Sequence, residues 1–200
     1  MTTRLNLICH ASTSATSRTA FAQDEPLDER GLAQASAIAG TLGHQSSGRA
    51  TVGIRGPALR CEQTAAALGV QARVDPDLAD WDLGLWQGHT LAEVSAEHPG
   101  DVTAWLTDPG AAPHGGQSLE QLLQRVGGWL DQQTHHHGRL TAVTHAAVIR
   151  AALVHALGAP PEAFWRLDVA PLARATLTGA GGRWNLSFPQ AAPCRSESTS

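Results

Sequence analysis

Two histidines stand in matching contexts in this 200-residue chain. "LNLICH" runs through apolar residues to Cys9 and His10, and "LTAVTH" does the same to His145. Each is followed by small residues and then a turn or helix. Short apolar runs bounded in this way read as buried strands. In open α/β sheets, ligands bind beyond the carboxyl ends of the strands. A third run ends near Arg55, and Arg60 falls in the first turn of the helix that follows. Two imidazoles and an arginine then share one rim, beside helix N-termini that favour anions. The chemistry open to such a set is handling of an oxyanion, with a neutral imidazole lone pair available near pH 7. For either histidine alone the competing reading is a strand cap held by a backbone hydrogen bond; the repetition beside an arginine favours the site.

The elements that must position these residues alternate. "RLNLICH" predicts a first strand, and "LDERGLAQASAIAGTLG" a helix with Leu32, Ala35, Ala39 and Leu42 at helical spacing and Gly43 as its stop. "RATVGIRG" is a second strand, "PALRCEQTAAALG" a helix opened by proline, and "QARVDPDL" a third strand. Thr90 with Glu93, and Ser118 with Gln121, have the spacing of capping boxes. After Ser118, the residues Leu119, Leu122, Leu123, Val126, Trp129 and Leu130 trace one helix face. "GRLTAVTH" is a strand and "AAVIRAALVHALG" its helix; "FWRLDVA", "ARATLTG" and "RWNLSF" read as closing strands. This order predicts a three-layer α/β/α sandwich around a mainly parallel sheet. We expect one domain over residues 1–189 and a disordered polar tail over 190–200. His135–His137, between a helix and a strand, read as a solvated loop rather than a metal site.

Composition narrows the function. With 42% hydrophobic and 16% charged residues the chain can bury a sizeable core. A net charge of −4 without a basic stripe argues against nucleic acid as a partner. No apolar run reaches the ~18–20 residues of a membrane span, and no signal peptide is visible, so a cytoplasmic location is expected. Three cysteines, Cys9, Cys61 and Cys194, read as free thiols.

Five stretches resemble motifs of the histidine phosphatase superfamily, also called phosphoglycerate mutase-like, in the right order. "CHAST" is similar to Arg-His-Gly-x-Thr, and "GPALRCEQTA" to Ser-Pro-x-x-Arg-x-x-Gln-Thr-Ala. "LADWDLGLWQGHT" resembles Leu-x-Glu-x-x-x-Gly-x-Trp-Glu-Gly-x-Thr, "PHGGQSLEQLLQRV" resembles Pro-x-Gly-Glu-Ser with its helix, and "VTHAAVIR" the second-histidine motif. The resemblance implies a phosphoglycerate mutase-like fold and a phosphomonoester hydrolase acting on a small metabolite through a phosphohistidine. His10 would be the nucleophile, His145 the second histidine on the phosphate, Arg60 a phosphate clamp and Asp80 the proton donor. Thr13, Thr16, Arg18, Cys9 and Ala146 would lie along the phosphate. The scheme requires no metal or cofactor, and its partner is a small phosphorylated substrate. A homodimer is left open.

Departures accompany the matches. Cys9 stands where the motif has arginine, Ala11 where it has glycine, and Thr16 where many members have asparagine. Gln87 and Gln117 replace commonly acidic positions, and Asp80 is one methylene shorter than glutamate. Cys9 admits three readings: a neutral replacement with Arg18 or another donor taking over the anion, a site changed for a less charged substrate or another reaction, or a redox or metal role with His10 and His145. The alternative function is accordingly a divergent member with non-phosphatase chemistry or ligand binding in a specialised biosynthetic pathway. Trp81 and Trp86 would wall a pocket or pack in the core.

Overall fold

The structure is a computed structural model that describes residues 2–43 and 51–188. Strand β1 (Thr3–Cys9) is followed by α1 (Ser14–Arg18), α2 (Glu29–Gly43), β2 (Thr51–Arg55), α3 (Leu59–Ala67) and β3 (Ala72–Val74). Then come α4 (Leu91–Glu97), α5 (Pro99–Thr107), α6 (Leu119–Gln133), β4 (Gly138–Thr144) and α7 (Ala146–Leu157), and finally β5 (Arg174–Ala180) and β6 (Arg183–Ser187). The strands form one sheet in the order β3-β2-β4-β1-β5-β6. β3, β2, β4 and β1 run parallel; β5 and β6 are antiparallel.

Alternation along β1 divides the core between the two sheet faces. Leu5, Leu7 and Cys9 join Leu122, Val126, Trp129 and Leu130 of α6 and Val148, Ile149 and Ala152 of α7. Ile8 turns the other way, toward Ala35 of α2 and Cys61, Ala65 and Leu68 on the α3 side. The helices begin where the sequence provides side-chain oxygen for orphan backbone N–H groups. Thr90 opens α4 and Ser118 opens α6, each in a reciprocal capping box. The proposed face of α6 is buried, with Leu123 at its half-buried margin.

Some local expectations are corrected. "FWRLDVA" is not a strand: Pro160 and Pro161 open a 3₁₀ turn, Pro161–Arg166, in which Phe164 is buried. Proline lacks the N–H that a sheet ladder needs, and its fixed φ suits the start of a turn. Leu32 is 42% exposed, and α2 buries Gly31 and Ala35 instead. α1 and α5 were not foreseen. α1 has five residues, too few to show a period, and α5 starts on Pro99 immediately after α4. The start of the second predicted strand, Arg49–Ala50, and the tail 190–200 with Cys194 lie outside the described residues. Among the described residues no helix is long and apolar enough to cross a membrane.

Candidate active site

Parallel pairing of β1 with β4 sets Cys9 opposite Thr144, so the next residue on each chain is a histidine at the same sheet edge. The His10 N–H donates to Thr144 O at 2.8 Å, which closes the two strand ends together. The rings of His10 and His145 meet edge to face with centroids 5.3 Å apart. β2 ends in the same layer: the Gly56 N–H donates to Val143 O. A Cβ at Gly56 would lie 2.6 Å from Leu78 O and 3.3 Å from His145 Nε2, so only glycine allows this close approach.

His10 Nδ1 lies 2.8 Å from Ala11 O. A carbonyl oxygen only accepts, so Nδ1 carries the proton and Nε2 keeps its lone pair. Burial, then the neighbouring His145 and Arg60, pull the His10 pKa from 6.5 down to about 4 against the Ala11 carbonyl and Asp80. The ring is therefore neutral at pH 7. The loop after it is tied down from α3: the Ala11 N–H donates to Thr64 Oγ1 at 3.0 Å, and Thr64 Oγ1 donates to Arg60 O at 2.7 Å. Thr64 and Gln63, which accepts from the Leu27 N–H, are positioning residues. Their signal was the Gln-Thr of "GPALRCEQTA".

Arg60, His145 and Asp80 converge beside His10. Arg60 is 2% exposed, donates from Nη2 to Asp80 Oδ2 at 2.7 Å and from Nη1 to Gln23 O, and has no hydrogen-bond partner at Nε. His145 is buried, with Nδ1 3.1 Å from Asp80 Oδ2 and Nε2 3.4 Å from Cys61 Sγ. The Nδ1 contact is a close electrostatic one, out of line for a hydrogen bond. Burial alone would raise the Asp80 carboxyl, but His145, Arg60 and His10 hold it below the usual carboxylate range. Asp80 is thus ionised in the resting site. Its backbone is fixed by Arg125, which donates to Asp77 O, Ala79 O and Asp80 O and also to Gln117 Oε1 at 3.0 Å. Gln117 keeps the hydrogen bond that an acid would make there, without the charge.

The structure does not bring every expected contact to this set. Thr13 Oγ1 accepts from the Thr16 N–H and donates to Glu25 Oε1 at 3.0 Å, and Thr16 completes the capping box of α1. Both hydroxyls are committed to that loop. Arg18 is exposed and its Nε donates to Ser14 O at 3.4 Å, on the last turn of α1. Among the described residues it makes no hydrogen bond or ion pair with His10, Arg60, Asp80 or His145. Ala146 is the first residue of α7, where its backbone N–H has no intrahelical partner and the helix dipole is positive. Trp81 and Trp86 are buried and pack with Trp105, Trp165, Phe21 and His114. Trp81 also reaches a cleft of about 510 Å³ whose other walls include Gln23, Asp24, Arg60, Asp80 and Asp82.

Cys9 is 2% exposed and faces the α6–α7 side of the core. Burial, reinforced by Asp80 and opposed by Arg150 and Arg60, pushes its thiol up to about 12. Burial likewise pushes the Cys61 thiol up. Neither is a thiolate at neutral pH, as a ready nucleophile must be, and no group of three or more His, Cys, Asp or Glu among the described residues is placed to hold a metal. The burial also bears on substitution. Cys9→Arg, which would rebuild the motif, overfills a packed site and should lower stability by at least about 1–3 kcal/mol. Thermal unfolding of the variant checks this, and an unchanged midpoint would show that the side chain has room.

The sequence model of the histidine phosphatase superfamily (branch 1) matches residues 5–190. A bifunctional protein of Mycobacterium tuberculosis is 32% identical over 189 residues, covering 90% of this chain and 51% of the relative. The chain thus spans about half the length of that protein. Phosphoserine phosphatase 1 of Hydrogenobacter thermophilus is 29% identical over 149 residues, covering 71% of this chain and 69% of that one. The solved structure of a mycobacterial glucosyl-3-phosphoglycerate phosphatase in complex with VO3 superimposes with a TM-score of 0.80 at 28% identity, covering 94% of this chain and 99% of the other.

Proposed function

Because the chain belongs to the histidine phosphatase superfamily, we propose that it is a phosphomonoester hydrolase of a small metabolite, acting through a phosphohistidine on His10. The observation that carries this reading is the state of His10: neutral, with Nδ1 bound to Ala11 O and Nε2 left as a lone pair beside Arg60 and His145. Relatives named as phosphatases of glucosyl-3-phosphoglycerate and phosphoserine support the substrate class of small phosphorylated metabolites.

In the proposed reaction, the phosphoryl group binds against Arg60, His145 and the N-terminus of α7. His10 Nε2 forms a bond to phosphorus as the bond to the leaving oxygen breaks. Phosphoryl transfer is catalysed mainly by positioning and by cationic groups around the spreading charge. Asp80 takes part through the same arginine. An incoming phosphate competes for Arg60 and adds negative charge, and both effects raise the Asp80 pKa toward protonation. Protonated Asp80 then gives its proton to the leaving alkoxide. In the second half, the Asp80 carboxylate takes a proton from water as its oxygen attacks phosphorus, the P–N bond breaks, and inorganic phosphate leaves.

The test is turnover of p-nitrophenyl phosphate by the purified chain, with quenched samples assayed for an acid-labile phosphoryl adduct on histidine. Turnover with such an adduct supports the reading. A folded protein that binds phosphate yet forms no adduct and releases no nitrophenol favours the alternative, non-phosphatase chemistry or ligand binding, for which the substitution at Cys9 is the motivation.

A further inference from the structure

Parallel strands covered on both faces are normally apolar throughout. β1 and β4 depart from this at their starts. Arg4 and Asn6 alternate with the buried Leu5 and Leu7, and Arg139 and Thr141 lie in register beside them on β4. Leu5 and Leu7 pack under α6 and α7, and on the opposite face the core under α2 and α3 takes in Ile8 and Val143. The polar beginning of that second face opens instead on a cavity of about 510 Å³.

Three guanidinium side chains line this cavity, from Arg4 on β1, Arg139 on β4 and Arg174 on β5. Arg4 and Arg139 are register partners. Arg174 pairs across from Ile8, and its side chain reaches toward Arg4: Nη2 donates to Asn6 Oδ1 at 3.2 Å, an oxygen that also accepts from Thr176 Oγ1 at 3.0 Å. Burial, then the like charge of Arg4, lower the Arg174 pKa. No carboxylate is among the described walls, and residues 44–50, which connect α2 to β2, contain no acid in their sequence. A cleft lined by one sign of charge between low-dielectric walls concentrates the opposite ion. Ile8, Leu68 and Val70 form an apolar side to the same space.

We propose that this cavity is a second anion site, which takes a small organic phosphate with its phosphoryl group on Arg4, Arg139 and Arg174 and its carbon portion against Ile8, Leu68 and Val70. Guanidinium forks match phosphate oxygens geometrically, and a phosphate carries roughly −1.5 to −2 charges at pH 7, against one for a carboxylate. The volume lies within the ~300–1,000 Å³ usual for small-molecule pockets. The site is separate from the one at His10. Arg4 begins the strand that His10 follows, a span of ~20 Å at about 3.3 Å per residue, and Arg139 stands at the corresponding end of β4 from His145. A ligand here is therefore bound without being the group that reacts, and the proposal does not depend on the phosphatase reading.

The experiment titrates the full chain with phenylphosphonate, whose P–C bond is not an ester and is not hydrolysed, and follows the arginine Nε–H signals by NMR. The signals are assigned from Arg4→Gln, Arg139→Gln, Arg174→Gln and Arg60→Gln. Saturable shifts are expected at Arg4, Arg139 and Arg174 together, with an affinity that differs from the one read at Arg60. In folded Arg4→Gln and Arg174→Gln, identified by circular dichroism, the affinity read at Arg139 should be at least about tenfold weaker, the loss of one charge-assisted hydrogen bond. Arg30→Gln, on the exposed side of α2, should leave it unchanged. Turnover of p-nitrophenyl phosphate by the Arg4, Arg139 and Arg174 variants without added phosphonate should stay within about twofold of the parent. Absence of a saturable shift at these three arginines in the parent overturns the proposal, and that measurement needs no variant to fold. An unchanged affinity in the folded variants overturns it as well. Binding of inorganic phosphate as tight as that of phenylphosphonate would refute the role given to the apolar side. Shifts that appear only in Glu197→Gln would make the chain's own tail the occupant and exclude an outside ligand. None of these readouts requires hydrolysis, so failure of the phosphatase reading and failure of this one are told apart.

Discussion

His10→Ala is expected to abolish turnover while the protein remains folded. Removing a nucleophile from a site that works as a unit typically costs on the order of 10⁴–10⁶-fold in kcat, and the acid-labile adduct should vanish with it. His10 follows the last residue of β1, and the sheet is held there by its backbone N–H on Thr144 O, which alanine retains. The stability of the variant carries its own signature. In the parent, the folded site resists protonating His10 until about pH 4, whereas the unfolded chain takes up that proton near the ordinary value of 6.5. Between those values the unfolded state binds more protons, so stability falls as pH drops through this window. The alanine variant lacks this contribution and should lose less stability over the same range. Near-normal hydrolysis by folded His10→Ala would exclude the phosphohistidine route.

Asp80→Asn should separate substrates by leaving group. Loss of a general acid costs typically 10²–10⁴-fold when the departing oxygen needs a proton. Alkyl phosphates should therefore slow by roughly 100–10,000-fold, and p-nitrophenyl phosphate, whose phenolate leaves unaided, by less than about tenfold. The substitution also removes the anion that faces Arg60 and His145. Inorganic phosphate should then bind more tightly, since it no longer competes with a carboxylate for Arg60. The sign of the His10 shift follows from the same charge: Asp80 raises the His10 pKa, so its neutralisation should move the titration of the His10 ring, followed by NMR, further below the parent value of about 4. Equal losses on both ester classes would place the proton donor elsewhere. Asp82 is then the candidate, lining the same cleft with its Oδ1 accepting from the Gly84 N–H at 3.0 Å.

The strand ends, the capped helices and the order of the layers could be read along the chain because each is set by short-range chemistry. Apolar runs that stop at His10 and His145 mark buried strands, and Ser118 and Thr90 mark helix starts by the hydrogen bonds their side chains make three residues on. The fold pairs β1 with β4, and that pairing carries the two histidines to one edge. What the sequence left open was where polar side chains spend their hydrogen bonds. Thr13 matches a phosphate-binding stretch in type and place, and Thr16 in place alone, yet α1, a helix too short to show a period, takes both hydroxyls for its cap. Arg18 has the charge to replace a missing arginine, but its place on the last turn of α1 leaves it in solvent. Asp80 comes to Arg60 and His145 on a turn whose carbonyls, those of Asp77, Ala79 and Asp80, are held by Arg125, 45 residues later. Periodicity and capping are properties of neighbours within one helical turn or strand, whereas ionisation and anion binding depend on which charges folding brings within a few ångströms across distant segments. The chain alone therefore determined most of its strands, its caps and its two histidines; tertiary packing decided the order of the strands, which cations surround the histidines and in which protonation state His10 stands.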